Sequence, residues 1–253
     1  MTVQAGPYRA HRRLDDEPLR AAKAQKILAG LEAAGLKPAG RVCLDVGCAT
    51  GLITKHLAPH FGLTVGVEFG AEAVAVAGRL AGEQLAFLRG DGQHLPIGDA
   101  CVDVVVCAQV YEHVEDPQAL LAEGWRILRP GGICFFSGPN RLFPFEFHSR
   151  LPLVHWLPFA WTRRLVRWFG RGRDYDAHVV SMWTLRRWVA RFELQDLTID
   201  MLRDPDRYGC RDEMGRLGWV GRLPEVWLRG ILCCMPNLNW ALHKPLSPEE
   251  GAA

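Results

Sequence analysis

The sequence predicts an α/β fold: a doubly wound, Rossmann-like sheet of seven mostly parallel strands, with an antiparallel last strand and a helical insertion after the fifth strand. Two observations predict it. Short β-branched apolar runs alternate with helix-like segments through the first 140 residues, which is the pattern of βαβ units that bury a parallel sheet. The length of 253 residues suits one domain of this kind.

The first half of the chain alternates regularly between helix and strand. A helix is predicted over 18–34, where Pro18 suits a first-turn position. The strand segments are apolar runs of the kind that parallel sheets bury on both faces. In order, we predict a strand at 41–46, a helix at 51–61, a strand at 63–68, a helix at 71–81, strands at 85–91 and 101–109, a helix at 116–132 and a strand at 133–139.

This regularity ends after Pro139. Residues 140–180 mix aromatic residues and arginines with proline and glycine, and we expect them to form an inserted segment that acts as a lid. Beyond it the sequence predicts a helix at 181–192 with Ser181 as N-cap, a strand at 194–202, a helix at 221–235 and a strand at 238–244. The whole chain is expected to be a single domain, with an N-terminal arm at 1–17 and a disordered tail at 245–253.

Composition narrows the class of protein. Hydrophobic residues make up 49% and charged residues 23% of the chain, as in globular proteins. No run of eighteen uncharged apolar residues occurs and the N-terminus lacks the apolar core of a secretory signal, so we expect a cytoplasmic protein. The eight cysteines include no CxxC pair, so neither disulfides nor a metal site is expected.

Charge is distributed unevenly along the chain. The net charge is only +2, yet the stretch from Arg141 to Arg191 holds ten arginines, no lysine and three acidic residues. Twelve of the 24 aromatic residues lie between Phe143 and Phe192. Because the chain as a whole is close to neutral and lacks a known recognition motif, no nucleic-acid partner is expected. The basic aromatic stretch must serve another purpose.

A glycine loop, "LDVGCATG" at 44–51, joins the first predicted strand to the next helix. Small residues let a ligand approach the backbone, and the helix N-terminus favours an anionic group. The loop lacks both GxGxxG and GK[ST], which argues against a dinucleotide or a P-loop nucleotide. Asp45 would repel a pyrophosphate but suits a ligand with an amino group. Glu68, at the end of the second strand, is placed to accept hydrogen bonds from a ribose diol.

Four segments together resemble the class I S-adenosylmethionine-dependent methyltransferases: "LDVGCATG", "VGVE", "GDGQHLPIGDACVDVVVCAQVYEHVEDP" and "ILRPGGICFFS". The resemblance covers about residues 20–140, and 181–244 more loosely, with Ala49 at the place of the usual middle glycine. It implies S-adenosyl-L-methionine as cofactor, with Asp45 and the loop at its methionine end, Glu68 at the ribose and Asp91 at the adenine. The implied cofactor-binding residues are Asp45, Gly47, Cys48, Ala49, Gly51, Glu68, Phe69, Asp91, Gly92, Ala108 and Gln109.

The resemblance assigns no catalytic residue, since the family shares none. In methyl transfer from a sulfonium the protein orients the acceptor and, for a hydroxyl or carbon acceptor, removes a proton. Three histidines are candidate bases: His113 just past the fourth strand, and His148 and His178 in the inserted segment. The alternative is that His113 fixes its loop and that the other two are packed or solvated. No i, i+4 histidine pair with a supporting acid occurs, so no metal is expected.

Segment 157–173, "LPFAWTRRLVRWFGRGR", has arginines between four apolar residues at helical spacing, namely Trp161, Leu165, Trp168 and Phe169. Such a helix either lies on a membrane surface or packs its apolar stripe over the pocket as a lid. Both interpretations favour a small hydrophobic or lipid-like acceptor, with oxygen or carbon methylation preferred to nitrogen. A soluble metabolite or natural product as acceptor, and a regulatory protein that binds S-adenosylmethionine without catalysis, are the alternatives. The oligomeric state stays open.

Overall fold

Helices and strands alternate along the first half of the chain, as predicted. The computed structural model describes residues 16–146, 151–152, 156–157, 161–162, 164–165, 168, 178–211 and 218–246. In chain order the elements are α1 (Glu17–Ala33), β1 (Val42–Val46), α2 (Leu52–Leu57), β2 (Leu63–Glu68), α3 (Ala71–Ala77), β3 (Leu85–Arg89), β4 (Val102–Ala108), α4 (Pro117–Ile127), β5 (Leu128–Pro139), α5 (Met182–Trp188), β6 (Glu193–Asp196), α6 (Thr198–Arg203), α7 (Glu225–Ile231) and β7 (Asn237–His243).

Seven strands form one sheet in the order β3-β2-β1-β4-β5-β7-β6, and a separate two-stranded sheet in the insertion pairs Phe145–Glu146 with Leu151–Pro152. Neighbours from β3 to β5 pair in parallel, and β7 runs antiparallel to both β5 and β6. The predicted seven-stranded, mostly parallel sheet with an antiparallel last strand is therefore confirmed. The strand order reverses between β1 and β4, and open α/β sheets bind ligands at the carboxyl ends of the strands beside such a reversal.

The boundary between α4 and β5 differs from the prediction. The helix ends at Ile127 rather than at residue 132, and β5 already begins at Leu128. Leu128 pairs with Val102 of β4 ahead of a register shift, so the "RPGG" that was expected to end the helix lies within the strand. A β-bulge of this kind accommodates proline and glycine inside a strand.

Two elements in the second half were also predicted wrongly in part. The strand expected at 194–202 stops at Asp196, whose Oδ1 accepts a hydrogen bond from the Thr198 amide and so starts α6. Local capping thus overrides the alternating pattern. The helix expected at 221–235 is broken at Pro224, which separates a 3-10 turn at Val220–Arg222 from α7. A second 3-10 turn, Leu232–Cys234, follows α7.

The core has one layer on each face of the sheet. Along β4 the side chains alternate: Val105 and Cys107 join one layer, while Val104 and Val106 join the other. This strand is buried on both sides, as its continuous apolar sequence predicts. Trp240 of β7 is fully buried in the first layer and stacks on Phe136 at a centroid distance of 5.6 Å.

The insertion after β5 leaves and re-enters the fold at one place. Buried Asn140 donates a hydrogen bond from Nδ2 to the Cys233 carbonyl (2.6 Å) and accepts one at Oδ1 from the Met182 amide (3.3 Å). The Arg141 amide donates to the Val180 carbonyl at 3.1 Å. Both ends of the insertion are therefore fixed at the carboxyl end of β5, on the edge of the sheet where a ligand site is expected.

Some predictions fall outside the residues that the structure describes. These are most of the N-terminal arm and of the C-terminal tail, namely residues 1–15 and 247–253, and much of segment 157–173. None of the described helices is long and apolar enough to cross a membrane.

Candidate functional site

The glycine loop turns tightly from β1 into α2. The amides of Gly47 and Cys48 both donate to the Val67 carbonyl, at 2.8 and 3.1 Å, which ties the loop to β2. Gly47 has a φ of 72°, and a Cβ there would lie 2.7 Å from Val110 Cγ2. Ala49 is also left-handed, with a φ of 50°. The loop thus requires small residues, and a strained non-glycine residue within it is typical of a binding site.

Gly51 closes the loop at the start of α2. It has a φ of 79°, and a Cβ would lie 2.7 Å from Phe87 Cε1 and 3.0 Å from Ala77 Cβ. We expect Gly51→Ala to lower the free energy of unfolding by about 2–4 kcal/mol, because left-handed strain and overpacking add. The melting temperature should fall by roughly 5–15 °C. The control is Gly78→Ala, where no atom lies within 4 Å; equal melting temperatures for the two variants would contradict the prediction.

Asp45 is buried in β1, one residue before the strand ends. Its Oδ2 accepts a hydrogen bond of 2.6 Å from the Thr54 hydroxyl in α2. Burial raises the pKa of Asp45 to about 7 and the nearby charge of Glu68 raises it further, whereas the hydrogen bond from Thr54 lowers it. A cation bound beside this carboxyl would stabilise its ionised form. The position therefore favours a positively charged ligand group.

Glu68 holds the glycine loop as well as facing the site. Its Oε2 accepts a hydrogen bond from the Ala49 amide at 3.0 Å, and its Oε1 accepts one from the Gly70 amide at 2.8 Å. From the sequence, Glu68 was predicted only to accept hydrogen bonds from a ribose. Each carboxylate oxygen has a second acceptor position, so both oxygens retain the capacity for a ligand hydroxyl. The next residue, Phe69, exposes its ring at the same edge of the sheet.

Asp91 and Gly92 follow β3 and are held by Gln93. Asp91 Oδ1 accepts hydrogen bonds from the Gln93 amide (2.9 Å) and from Gln93 Nε2 (3.0 Å). Gln93 Oε1 accepts in turn from the Asp116 amide at the start of α4, at 2.7 Å. Burial raises the pKa of Asp91, but the hydrogen bonds from Gln93 and the nearby His94 outweigh burial and lower it. Asp91 therefore presents an ionised carboxylate in a fixed orientation.

β4 ends at Ala108, and Gln109 follows it at the same edge of the sheet. Gln109 has a φ of 61°, and its amide donates to the Ser137 carbonyl at 2.7 Å. Its Nε2 donates to Asn237 Oδ1 at 3.4 Å. A non-glycine residue in the left-handed region is uncommon and is found at binding sites more often than elsewhere.

Two of the three candidate histidines lie together around Glu112. His113 Nε2 is 3.9 Å from Glu112 Oε1, and the His178 amide donates to the Glu112 carbonyl at 2.7 Å. The His113 side chain is 53% exposed, and its own amide donates to the Val110 carbonyl at 2.9 Å, which fixes the turn. His148 lies outside the described residues. The structure thus brings His113 and His178 to the edge where β4 ends, while their roles as bases stay predictions.

Three residues that organise this site were not predicted from the sequence: Thr54, Gln93 and Asn140. Thr54 lies in the first turn of the helix that follows the glycine loop, and a polar residue there is a detectable signal for a partner of Asp45. Gln93 and Asn140 act through contacts with distant segments, α4 and the turn after α7 respectively. No local spacing marks such long-range partners.

Comparison with known proteins agrees with a ligand site at this edge of the sheet. Residues 44–136, which run from the glycine loop into β5, match the family model described as "Methyltransferase domain". This part of the chain is therefore similar to a methyltransferase domain. The crystal structure of an S-adenosylmethionine-dependent methyltransferase from Mesorhizobium loti shares the fold of this domain, with a TM-score of 0.58 and 16% identity over 86% of this chain and 97% of that chain.

Curated relatives match less than half of the chain. A "Ubiquinone biosynthesis O-methyltransferase" from Coxiella burnetii is 36% identical over 107 residues, which are 41% of this chain and 46% of that protein. An uncharacterized methyltransferase of Mycobacterium leprae is 36% identical over 124 residues, 49% of this chain and 46% of that protein. The chain spans about half the length of the curated relatives it matches.

Proposed function

We propose that this protein transfers the methyl group of S-adenosyl-L-methionine to a small hydrophobic or lipid-like acceptor, with oxygen or carbon methylation preferred to nitrogen. The observation that carries the proposal is the convergence of three acids and a glycine loop at one edge of the sheet. Asp45, Glu68 and Asp91 end or follow three adjacent parallel strands. The match to a methyltransferase domain supports the same activity.

The residues at this edge fit the chemical groups of the cofactor. Buried Asp45 suits its cationic amino group, Glu68 a ribose diol, and Asp91 with Gly92 the adenine base. The glycine loop, Phe69, Ala108 and Gln109 would line the remainder of the site. When bound, the cofactor supplies an electrophilic methyl group on a sulfonium centre.

The protein's own contribution to transfer is orientation and proton removal. The turn at Tyr111–His113 lies next to the end of β4, and the Tyr111 hydroxyl donates to the Pro139 carbonyl at 2.5 Å, which fixes the turn against β5. His113 and His178 are positioned by the same turn and are our candidates for accepting a proton from a hydroxyl or carbon acid. His148 remains a third candidate. The name of the Coxiella burnetii relative supports oxygen as the methylated atom.

Two described residues of segment 157–173 support membrane contact rather than a lid. Trp161 and Trp168 are 69% and 78% exposed, whereas Thr162 is buried. Exposed Arg164 lies beside them, within the stretch that has a large excess of arginine. Indole rings and arginines together are typical of a helix that lies on a bilayer surface. We therefore propose a cytoplasmic enzyme with peripheral membrane contact through this segment.

Titration calorimetry with S-adenosylmethionine and S-adenosylhomocysteine tests the cofactor part of the proposal. We expect micromolar binding of both, and absence of binding to either would refute it. Transfer of a radiolabelled methyl group into total cell extracts then tests the acceptor. Label in the lipid extract supports a lipid-like acceptor, label only in the aqueous extract indicates a soluble metabolite, and binding without any transfer indicates a regulatory protein.

The affinity for S-adenosylhomocysteine should depend on pH through Asp45. With its pKa at about 7 in the free protein, the carboxyl is protonated at lower pH and must lose that proton to pair with the ligand's amino group. Affinity should therefore fall by up to about tenfold per pH unit below pH 7 and level off above pH 8. Calorimetry from pH 5.5 to 8.5 measures this; a profile that is equally steep in Asp45→Asn would assign the effect to another group.

A further inference from the structure

Two adjacent cysteines lie in the turn that follows α7. Cys233 and Cys234 end the 3-10 turn Leu232–Cys234, and their Sγ atoms are 3.7 Å apart. Cys234 is exposed and Cys233 is partly exposed, whereas five of the other six cysteines are buried. Reagents in solution can therefore reach both thiols of this pair, which we call the vicinal dithiol.

The backbone of the vicinal dithiol holds the base of the insertion. The carbonyl of Cys233 accepts the 2.6 Å hydrogen bond from Asn140 Nδ2, and Asn140 Oδ1 in turn accepts one from the Met182 amide. Asn140 is only 1% exposed, so the loss of this acceptor would leave a buried donor without its partner, which is costly. The position of one carbonyl therefore affects both ends of the insertion.

A disulfide between these adjacent residues would displace that carbonyl. The ring that it closes contains the peptide group between Cys233 and Cys234, to which the carbonyl belongs. A trans peptide keeps the two Cα atoms about 3.8 Å apart, whereas disulfides usually span about 4.4–6.8 Å between Cα atoms. The sulfur atoms must also approach from 3.7 Å to about 2.05 Å. Because the Cα spacing is fixed, part of this approach must come from backbone rotation beside the peptide, which changes the direction of the Cys233 carbonyl.

The close spacing of the two residues also makes such a bond easy to break. Disulfides outside the usual geometry are more readily reduced, and exposed ones of this kind are those that act in regulation. In a reducing cytosol disulfides are rare, and those that form are mostly transient or redox-sensing. The vicinal dithiol thus suits a reversible reaction and not a permanent structural cross-link.

We propose that Cys233 and Cys234 become linked by a reversible disulfide when a low-molecular-weight disulfide oxidises them, and that closing this ring loosens the base of the insertion. One thiolate attacks the small disulfide, forms a mixed disulfide and expels one small thiol. The neighbouring thiolate then attacks the protein sulfur of this mixed disulfide and expels the second small thiol. The protein loses two protons and two electrons, which convert the small disulfide into two thiols. This inference goes beyond the proposed function and does not depend on it.

Oxidation of the full chain by glutathione disulfide tests whether the ring forms. Partial burial, the hydrogen bond with Cys233 and the charge of that neighbour raise the pKa of Cys234, so the reaction is run at about pH 8 or above. We expect the intact mass to fall by two hydrogens, with no glutathione adduct and with the cross-link mapped to Cys233 and Cys234. The matched control is Cys101→Ser, which removes the other exposed cysteine and should oxidise like the wild type.

Hydrogen exchange before and after oxidation tests the effect on the insertion. The amides of Arg141 and Met182 are hydrogen-bonded at its base and report on its two ends. We expect their exchange to become roughly fivefold faster or more, the factor that the loss of one hydrogen bond gives, and to recover when dithiothreitol reduces the ring. A glutathione adduct that persists in the wild type, or a cross-linked dimer, overturns the proposal. So does a ring that leaves exchange unchanged, or equally accelerated exchange in Cys233→Ser/Cys234→Ser, because the disulfide would then not be the cause.

Discussion

Asp45→Asn is expected to weaken S-adenosylhomocysteine binding by roughly 10- to 100-fold while leaving the folded protein at least as stable as the wild type at pH 8. Binding weakens because the ligand's cationic amino group loses its ionised partner, and hydrogen bonds to charged groups contribute about 1.5–3 kcal/mol. Stability persists because the amide oxygen of asparagine can still accept the hydrogen bond from Thr54. Calorimetry and thermal unfolding of both proteins measure the two effects separately.

The sign of the stability effect follows from the raised pKa of Asp45. The folded protein holds this proton up to about pH 7, whereas the unfolded chain releases it near the ordinary value of 3.8. Between these values the folded state loses stability as the pH rises, since a buried charge must form. Asparagine avoids that cost, so its advantage should appear at pH 8 and vanish at pH 4. A variant that unfolds at lower temperature than wild type at pH 8 would show that the charge is stabilising.

The framework of the fold could be predicted because its signals are local. The strands at 41–46 and 63–68 are short apolar runs between turn residues, and both were placed within one residue of β1 and β2. The errors have two different causes. Leu128 joins the sheet through a tertiary contact, its pairing with Val102, which has no signature in the neighbouring sequence. Asp196 ends a strand through a local hydrogen bond from the Thr198 amide, which competes with the alternating pattern of the segment.

The places of the candidate site residues in the sheet could be predicted from the sequence. Their hydrogen bonds to other parts of the protein could be predicted less well. The spacing of Asp45, Glu68 and Asp91 along the chain matches the ends of three parallel strands, and a parallel sheet must bring such ends to one edge. What each carboxylate binds within the protein depends on loop geometry. The expected ligand contact of Glu68 therefore gave no sign that its oxygens also hold the Ala49 and Gly70 amides.

Glu68→Gln is expected to lower both the stability of the loop and the affinity for the cofactor. Two amides donate to the carboxylate, one to each oxygen, and a glutamine side chain offers one oxygen and one NH2 group. One of the two amides must then face a donor, which costs about 1–3 kcal/mol and should weaken S-adenosylhomocysteine binding at least tenfold. Thermal unfolding and calorimetry measure the losses, and Glu72→Gln, an exposed neighbour in α3, is the control.

A pair of ligands separates the structural role of Glu68 from its proposed contact with the ribose. S-adenosylhomocysteine and its 2′-deoxy analogue differ by one hydroxyl, so their affinity ratio in each protein reports that hydroxyl alone. If Glu68 accepts its hydrogen bond, the wild type should prefer the ribose form by tenfold or more, and Glu68→Gln should lose most of this preference. If Glu68 only holds the loop, both ligands weaken equally and the ratio stays at its wild-type value. The ratio does not depend on how far the loop is displaced, as long as both ligands meet the same loop, so it distinguishes the two roles even in a destabilised variant.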